Sequence, residues 1–326
     1  MSSAAGPKKI KKILDDPVAL YRYRYYTQGP SQTQLKQSSN IMIKRTIFGL
    51  PLNPQPKLNE LKGESFCVSF ATRKKLGKQL EQAIELVGAD GILMIDNGAF
   101  SAWQKGEQLD AEGFVEWAAD ICQRCPQAVV VVPDEIDADH VRNAELMHEF
   151  GFDLRAAGVD DCQLMVVWHM HEPLEHLEYL LESGFQYIAI GSSGEFAKCG
   201  TAKWIKRIEQ AMQVIDSAEC RPWVHMMRAQ ASLSGFDFDS ADSTNVAMNH
   251  GRYKAQGEGH VRAFADRVKA PITASCNGIE RHDVGFGSPA AQATLSQAGR
   301  ELEAVMMSPS VTASELSAAI KIYSMQ

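Results

Sequence analysis

Long apolar runs are missing: no stretch of about 18 uninterrupted apolar residues occurs, so no transmembrane helix is expected. The first residues are polar and lysine-rich and lack the apolar core of a secretion leader. Cysteine is sparse and scattered. The seven, at 67, 122, 125, 162, 199, 220 and 276, are odd in number and read as reduced thiols of a cytoplasmic protein, spectators rather than staples. Cys122-x-x-Cys125 has no second pair to complete a zinc knuckle. No G-x-G-x-x-G turn follows an early strand, which argues against an open dinucleotide-binding sheet.

The 326 residues, 45% of them hydrophobic, suffice for one large α/β domain or two smaller ones. The net charge of −7 conceals an asymmetry. Residues 1–78 hold fifteen Lys or Arg against four Asp or Glu, a net of +11 that leaves −18 for the remainder. A basic arm on an acidic body suits a polyanionic partner. Lys8, Lys9, Lys11, Lys12, Arg22 and Arg24, with tyrosines interleaved over Tyr21–Tyr26, and then Arg73, Lys74 and Lys75, are the candidate nucleic-acid contacts. A solvated tail has the same composition.

Beyond the Gln-, Ser- and Pro-rich start, short apolar runs alternate with amphipathic segments. Strands are expected at Phe66–Phe70, Ile92–Ile95, Ala128–Val132, Gln163–Trp168, Tyr187–Ile190, Pro222–Met226 and Phe236–Ala241, with Ala270–Ala274 as a possible eighth. Helices are expected over Lys74–Val87, Ala111–Cys122, Ala138–Phe150, Pro173–Leu181 and Ala202–Ile215. This alternation predicts a parallel sheet with right-handed crossovers, closed as a (β/α)8 TIM-type barrel. The expected organisation is a basic extension over 1–63, a barrel over 64–285 and a helical segment over 286–326.

Several strands end in chemistry. Gly91 to Phe100 runs from apolar residues into Asp96 and a glycine turn. Val129–Val132 leads through Pro133 to Asp134 and Glu135, Tyr187–Ile190 into Gly191-Ser192-Ser193-Gly194, and Phe236 to Thr244 carries Asp237, Asp239 and Asp242. His169 and His225 also fall at strand ends. A carboxylate after one strand is often only a helix cap, and Asp242 could cap a helix starting at Ser243. Several in series suggest one shared site at the C-terminal mouth. Two converging carboxylates can serve as nucleophile and acid/base at a sugar anomeric carbon, and a third can accept the paired N–H groups of a guanine-like ring. His169-Met170-His171 suits a metal less well, because no third histidine follows at ligand spacing; neither metal nor cofactor is expected.

The motif Asp96-Asn97-Gly98-Ala99-Phe100 resembles the Asp-Ser-Gly-Gly-Phe signature of tRNA-guanine transglycosylases. Val132-Pro133-Asp134-Glu135 is similar to their base-recognition carboxylate, and Ile190 to Glu195 to their glycine-rich loop. Asp242-Ser243-Thr244 stands where their nucleophile follows a late strand. The four matches keep the family's order over roughly residues 64–255. Similarity is greatest to the short phage and bacterial DpdA-type proteins, which exchange guanine in DNA for a 7-deazaguanine such as 7-cyano-7-deazaguanine. The resemblance implies Asp242 as nucleophile at C1′ and Asp96 as the proton manager. It implies Asp134, Gly191, Ser192 and His169 around the base, with Phe100 stacking on it.

Two departures qualify it. The tRNA enzymes carry three closely spaced cysteines in a C-terminal zinc site, whereas only Cys276 follows Cys220 here, which favours DNA over tRNA as partner. Phe238-Asp239-Ser240-Ala241 is similar to the nucleophile motif of the archaeal tRNA enzymes, so Asp239 is the alternative nucleophile. Other readings left open are a zinc-free tRNA enzyme, a catalytically silent nucleic-acid-binding barrel and a metal-dependent hydrolase.

Overall fold

The computed structural model describes residues 44–276, apart from residues 137, 161–162, 219, 231, 233–234 and 253–256. The arm with Lys8, Lys9, Lys11, Lys12, Arg22 and Arg24, and the expected helical segment over 286–326, lie outside the described residues. Eight parallel strands close on themselves in sequence order. They are β1 (Arg45–Gly49), β2 (Ser65–Ser69), β3 (Leu93–Asp96), β4 (Ala128–Val131), β5 (Leu164–His169), β6 (Tyr187–Gly191), β7 (Trp223–Met226) and β8 (Ser240–Ser243). The seam pairs β1 with β8, Arg45 opposite Ser240 and Ile47 opposite Asp242. The fold is the expected (β/α)8 TIM-type barrel.

The eighth strand is not where the sequence suggested. Residues 270–274 belong to a helix, His260–Cys276, and the missing strand is β1, inside the segment read as extension. Its five residues stand between Lys44 and a proline-rich stretch at Pro51, Pro54 and Pro56, so too little apolar sequence surrounded it to register. The barrel therefore begins near residue 45 rather than 64.

Both faces of each strand are covered, which is why β4 and β5 read as unbroken apolar runs; every residue of both is buried. Ile47, Ile92, Met94, Val129, Val131, Met165, Val167 and Ala189 fill the interior. The alternate residues, among them Phe48, Phe66, Leu93, Val130, Val166, Ile188 and Val224, face the helices.

The helical layer comprises α1 (Arg73–Leu76), α2 (Gln79–Leu86), α3 (Ala99–Lys105), α4 (Ala111–Arg124), α5 (His140–Ala156), α6 (Leu174–Glu182), α7 (Ala202–Asp216), α8 (Asn245–Asn249) and α9 (His260–Cys276). Gly77, at φ 55°, breaks the continuous helix expected over 74–87 into α1 and α2. α7 buries Trp204, Ile208, Ala211 and Ile215, one face at helical spacing, and Thr201 caps it by accepting from Trp204 N at 3.3 Å. Asp110 and Asp139 cap α4 and α5 in the same way, through Gly113 N at 3.1 Å and Arg142 N at 2.9 Å. Truncating buried Trp204 to Ala should cost about 3–5 kcal/mol. No described helix is long and apolar enough to cross a membrane.

Candidate active site

Side chains alternate along a strand, so the interior residues predict which groups reach the mouth. Met94 faces inward, hence so does Asp96; Val167 leads to His169, Ala189 to Gly191 and Ser240 to Asp242. All four stand at C-terminal strand ends.

Asp242 is held from two sides. Its Oδ1 accepts from Arg228 N at 2.6 Å and from His225 Nε2 at 3.3 Å. His225 is itself held from behind. Trp223 Nε1–H donates to Ser240 Oγ at 2.8 Å, and that hydroxyl meets His225 Nδ1 at 2.8 Å, which turns Nε2 towards Asp242. Burial alone would raise the Asp242 pKa, but the His225 hydrogen bond and charge, then the Arg228 N–H and guanidinium, hold it below the usual carboxylate range. Arg228 delivers that N–H from a left-handed backbone, φ 62°, which costs a non-glycine residue about 1–2 kcal/mol.

Asp96 goes the other way. Burial raises its pKa and the nearby charge of Asp242 adds to this, only partly offset by hydrogen bonds from Ser69 and Gly98 and by Arg228. One carboxyl is thus biased towards the acid and the other towards the anion at the same mouth. Cys67, between them in the interior, is no rival nucleophile: burial and both carboxylates push its thiol well up.

Opposite this pair stands a second one. Asp134 Oδ2 meets His169 Nε2 at 2.5 Å, both largely buried. Burial would lower the His169 pKa, but the Asp134 hydrogen bond and the charges of Asp134 and Glu172 raise it. The backbones of both partners are fastened from behind. Buried Glu172 accepts from His169 N at 2.9 Å and Asn143 Nδ2 at 3.0 Å and pairs with His176 Nδ1 at 3.0 Å, while Asn143 Oδ1 accepts from Glu135 N at 3.0 Å. Burial opposes the Glu172 anion, yet these bonds keep its pKa below the usual range. Gly191 is needed beside His169, because a Cβ there would lie 3.0 Å from Nδ1.

Other expected residues are placed differently. Asp239 precedes β8 and has the opposite parity to Asp242. It is 5% exposed, with Oδ2 accepting from Arg221 Nη1 and Val224 N at 2.8 Å each, at the end of the barrel away from the mouth. It is a structural anchor, not a second nucleophile candidate. The Ser192 hydroxyl accepts from Trp204 Nε1 at 2.9 Å and lies 3.4 Å from Cys199 Sγ, so it is engaged within the chain. Phe100 has one face under the Arg228 guanidinium, 3.9 Å from its centroid, and lies 5.7 Å from Trp103. Arg73 is spent on Phe70, with its guanidinium 3.5 Å above the ring, and on Asp110; Lys74 and Lys75 are exposed. Asn249 donates to Asn245, and His250 is buried against His260, so the polar run after Asp242 is explained by packing. The first turn of α8 is entered from Thr244, not capped by Asp242.

Among the described residues no three His, Cys, Asp or Glu side chains converge as a metal-ligand set. No family model matches the chain, and no curated protein does. Among solved structures the chain aligns with dihydrodipicolinate synthase from Oceanobacillus iheyensis, also a TIM barrel, at 14% identity and a TM-score of 0.35, over 86% of this chain and 97% of that one. Arg228, Glu172, Asn143 and Ser240 escaped the sequence reading. Ser240, two residues before Asp242, and Glu172, three after His169, were the available signals.

Proposed function

We propose that the barrel is a base-exchange transglycosylase that replaces guanine in DNA with a 7-deazaguanine such as 7-cyano-7-deazaguanine. The observation that carries this reading is the pair of inward carboxyls, Asp96 biased neutral and Asp242 biased ionised, at one mouth. That division of labour is what displacement at an anomeric carbon needs.

In the first step an Asp242 carboxylate oxygen bonds to C1′ as the C1′–N9 bond breaks. The departing guanine takes its proton on a ring nitrogen from the Asp96 carboxyl. In the second step the Asp96 carboxylate removes the N9 proton of the incoming 7-deazaguanine. Its nitrogen attacks C1′, and Asp242 leaves as carboxylate. Both carboxyls return to their starting states. Arg228 N–H and His225 hold the carboxylate through Oδ1, which leaves Oδ2 as the attacking oxygen.

Asp134 spends Oδ2 on His169, and its other oxygen is left to accept from the base. The backbone of Gly191 and Ser192 closes on the ring edge. The target nucleotide must leave a duplex to reach this depth, so flipped or single-stranded substrate is expected.

The test is side-by-side incubation of guanine-containing DNA and unmodified tRNA with 7-cyano-7-deazaguanine, read as modified nucleoside by mass spectrometry. Incorporation into DNA supports the proposal. Incorporation into tRNA alone would keep the reaction and replace the substrate. Absence from both, across a panel of 7-deazaguanines, would leave a binding barrel without exchange activity.

A further inference from the structure

The segment that leaves β2 turns at the mouth through the 3-10 turn Phe70–Thr72 into α1, and packs against the start of α3: a Cβ on Gly98 would lie 2.8 Å from Ala71 Cβ. The two packed segments carry exposed lysines, on α1 and just before α2, and an exposed indole on α3. Lys74, Lys75 and Lys78 are exposed, and their ammonium groups make no hydrogen bond or ion pair among the described residues. Exposed Lys62, Lys198, Lys206 and Arg252 are likewise without an ion pair among the described residues, whereas other exposed cations are engaged. Arg124 pairs with Glu81 and Asp120, Arg142 with Glu135, Glu145 and Glu149, and Lys203 with Glu195. Glu81, three residues beyond Lys78, is taken by Arg124, and Asp110 and Glu107 pair with Arg73 and Lys105.

Trp103, on α3, is 47% exposed, whereas Trp168 and Trp204 are 0% and 1% exposed. From Trp103 a chain of contacts leads to Phe100, whose ring is tilted 37° to the indole, and then to the guanidinium of Arg228, whose backbone N–H holds Asp242. Uncompensated positive charge beside a flat aromatic is the composition that holds a single strand by phosphate contact and base stacking.

We infer that this rim is a track for single-stranded nucleic acid, on which Trp103 stacks a base flanking the one in the barrel mouth while Lys74, Lys75 and Lys78 neutralise neighbouring phosphates. The inference rests on the proposed function and adds the path by which the strand enters. A polyanion without bases engages the lysines but not the indole.

The experiment uses the full chain with a twelve-nucleotide oligothymidylate, an oligouridylate of equal length and heparin, without any 7-deazaguanine. Binding is followed by tryptophan emission and by anisotropy of labelled oligomer against salt. The expected result is quenching by an oligonucleotide that disappears in Trp103→Phe. Trp103→Ala should bind about tenfold more weakly. Replacing the three lysines by Ala should flatten the slope of log K on log salt by about 2. Whichever oligomer shows this dependence is the strand the track prefers. Quenching that persists in Trp103→Phe, equal quenching by heparin, or variants with unchanged affinity and slope would overturn the track. Base exchange is assayed separately on the same variants. Exchange with no Trp103 dependence of binding removes the track alone, and Trp103-dependent binding without exchange removes the reaction alone.

Discussion

Asp239 and Asp242 are three residues apart, one just before β8 and the other near its C-terminal end, and they do unlike things. Asp239 sits below β8 with its carboxylate clamped on Arg221 and Val224 N, closing the end of the barrel that carries no chemistry. Asp242 sits above, inward, held by a histidine and a strained backbone N–H. An odd separation reverses the face, and a barrel's two ends divide stability from catalysis. The same residue type is therefore an anchor at one end and a mouth-facing carboxylate at the other, and position alone decides.

Breaking the comparison at the mouth should give the largest effect. Asp242→Asn is expected to lower exchange on the order of 10⁴-fold or more while circular dichroism and oligonucleotide binding are kept. Comparable activity in this variant would remove Asp242 from the mechanism. Breaking it at the bottom, Asp239→Asn takes from the buried Arg221 guanidinium the nearest of three carboxylates, Asp216 and Asp237 remaining, and should cost about 2 kcal/mol in urea unfolding, with kcat at permissive temperature near wild type. A collapse of kcat in a folded protein would put Asp239 back in the chemistry.

A smaller effect is expected at the brace behind the second pair. Glu172→Gln turns an N–H donor towards another donor; it should cost about 2 kcal/mol in stability and lower kcat/KM roughly tenfold, with kcat/KM measured on the same preparation used for unfolding. The subtlest test is pH. Asp242 must be ionised and Asp96 protonated, so exchange should follow a bell, its acid limb set by a carboxyl below the usual range and its alkaline limb by one above it. Linkage gives stability the same signs. The depressed Asp242 contributes stability that is present above the unfolded carboxyl value and lost as pH falls through its folded pKa. The raised Asp96 contributes only below the unfolded value, and this is lost as pH rises through its folded pKa. Asp96→Asn should therefore raise Tm at neutral pH while suppressing exchange. A lower Tm there would contradict the assigned direction of the Asp96 shift.

The barrel was legible because buried parallel strands cannot alternate: runs such as Val129–Val132 and Tyr187–Ile190 announce themselves as apolar segments of strand length. β1 was not, since five residues among lysine and proline carry little signal until β8 is known to pair with them. At the site, residues that end a strand on the inward parity, Asp96, His169, Gly191 and Asp242, could be read from spacing. What supports them could not. Arg228 acts through a backbone angle, and Glu172 and Asn143 act across elements far apart in sequence. Asp239 misled because a local motif does not reveal which end of a strand a residue occupies.

The seam between β1 and β8 also bears on how the protein comes into being. Roughly 195 residues separate Arg45 from its partner Ser240, so at about 5–20 residues per second β1 waits about 10–40 s on the ribosome before the strand that completes its ladder has been made. For all that time two sheet edges stand open, at β1 and at the most recently added strand, and each is a template for pairing with another chain. The last strand to arrive is also the one bearing Asp242, so no nascent fragment brings Asp96 and Asp242 together, and closure of the barrel and assembly of the carboxyl pair are one event.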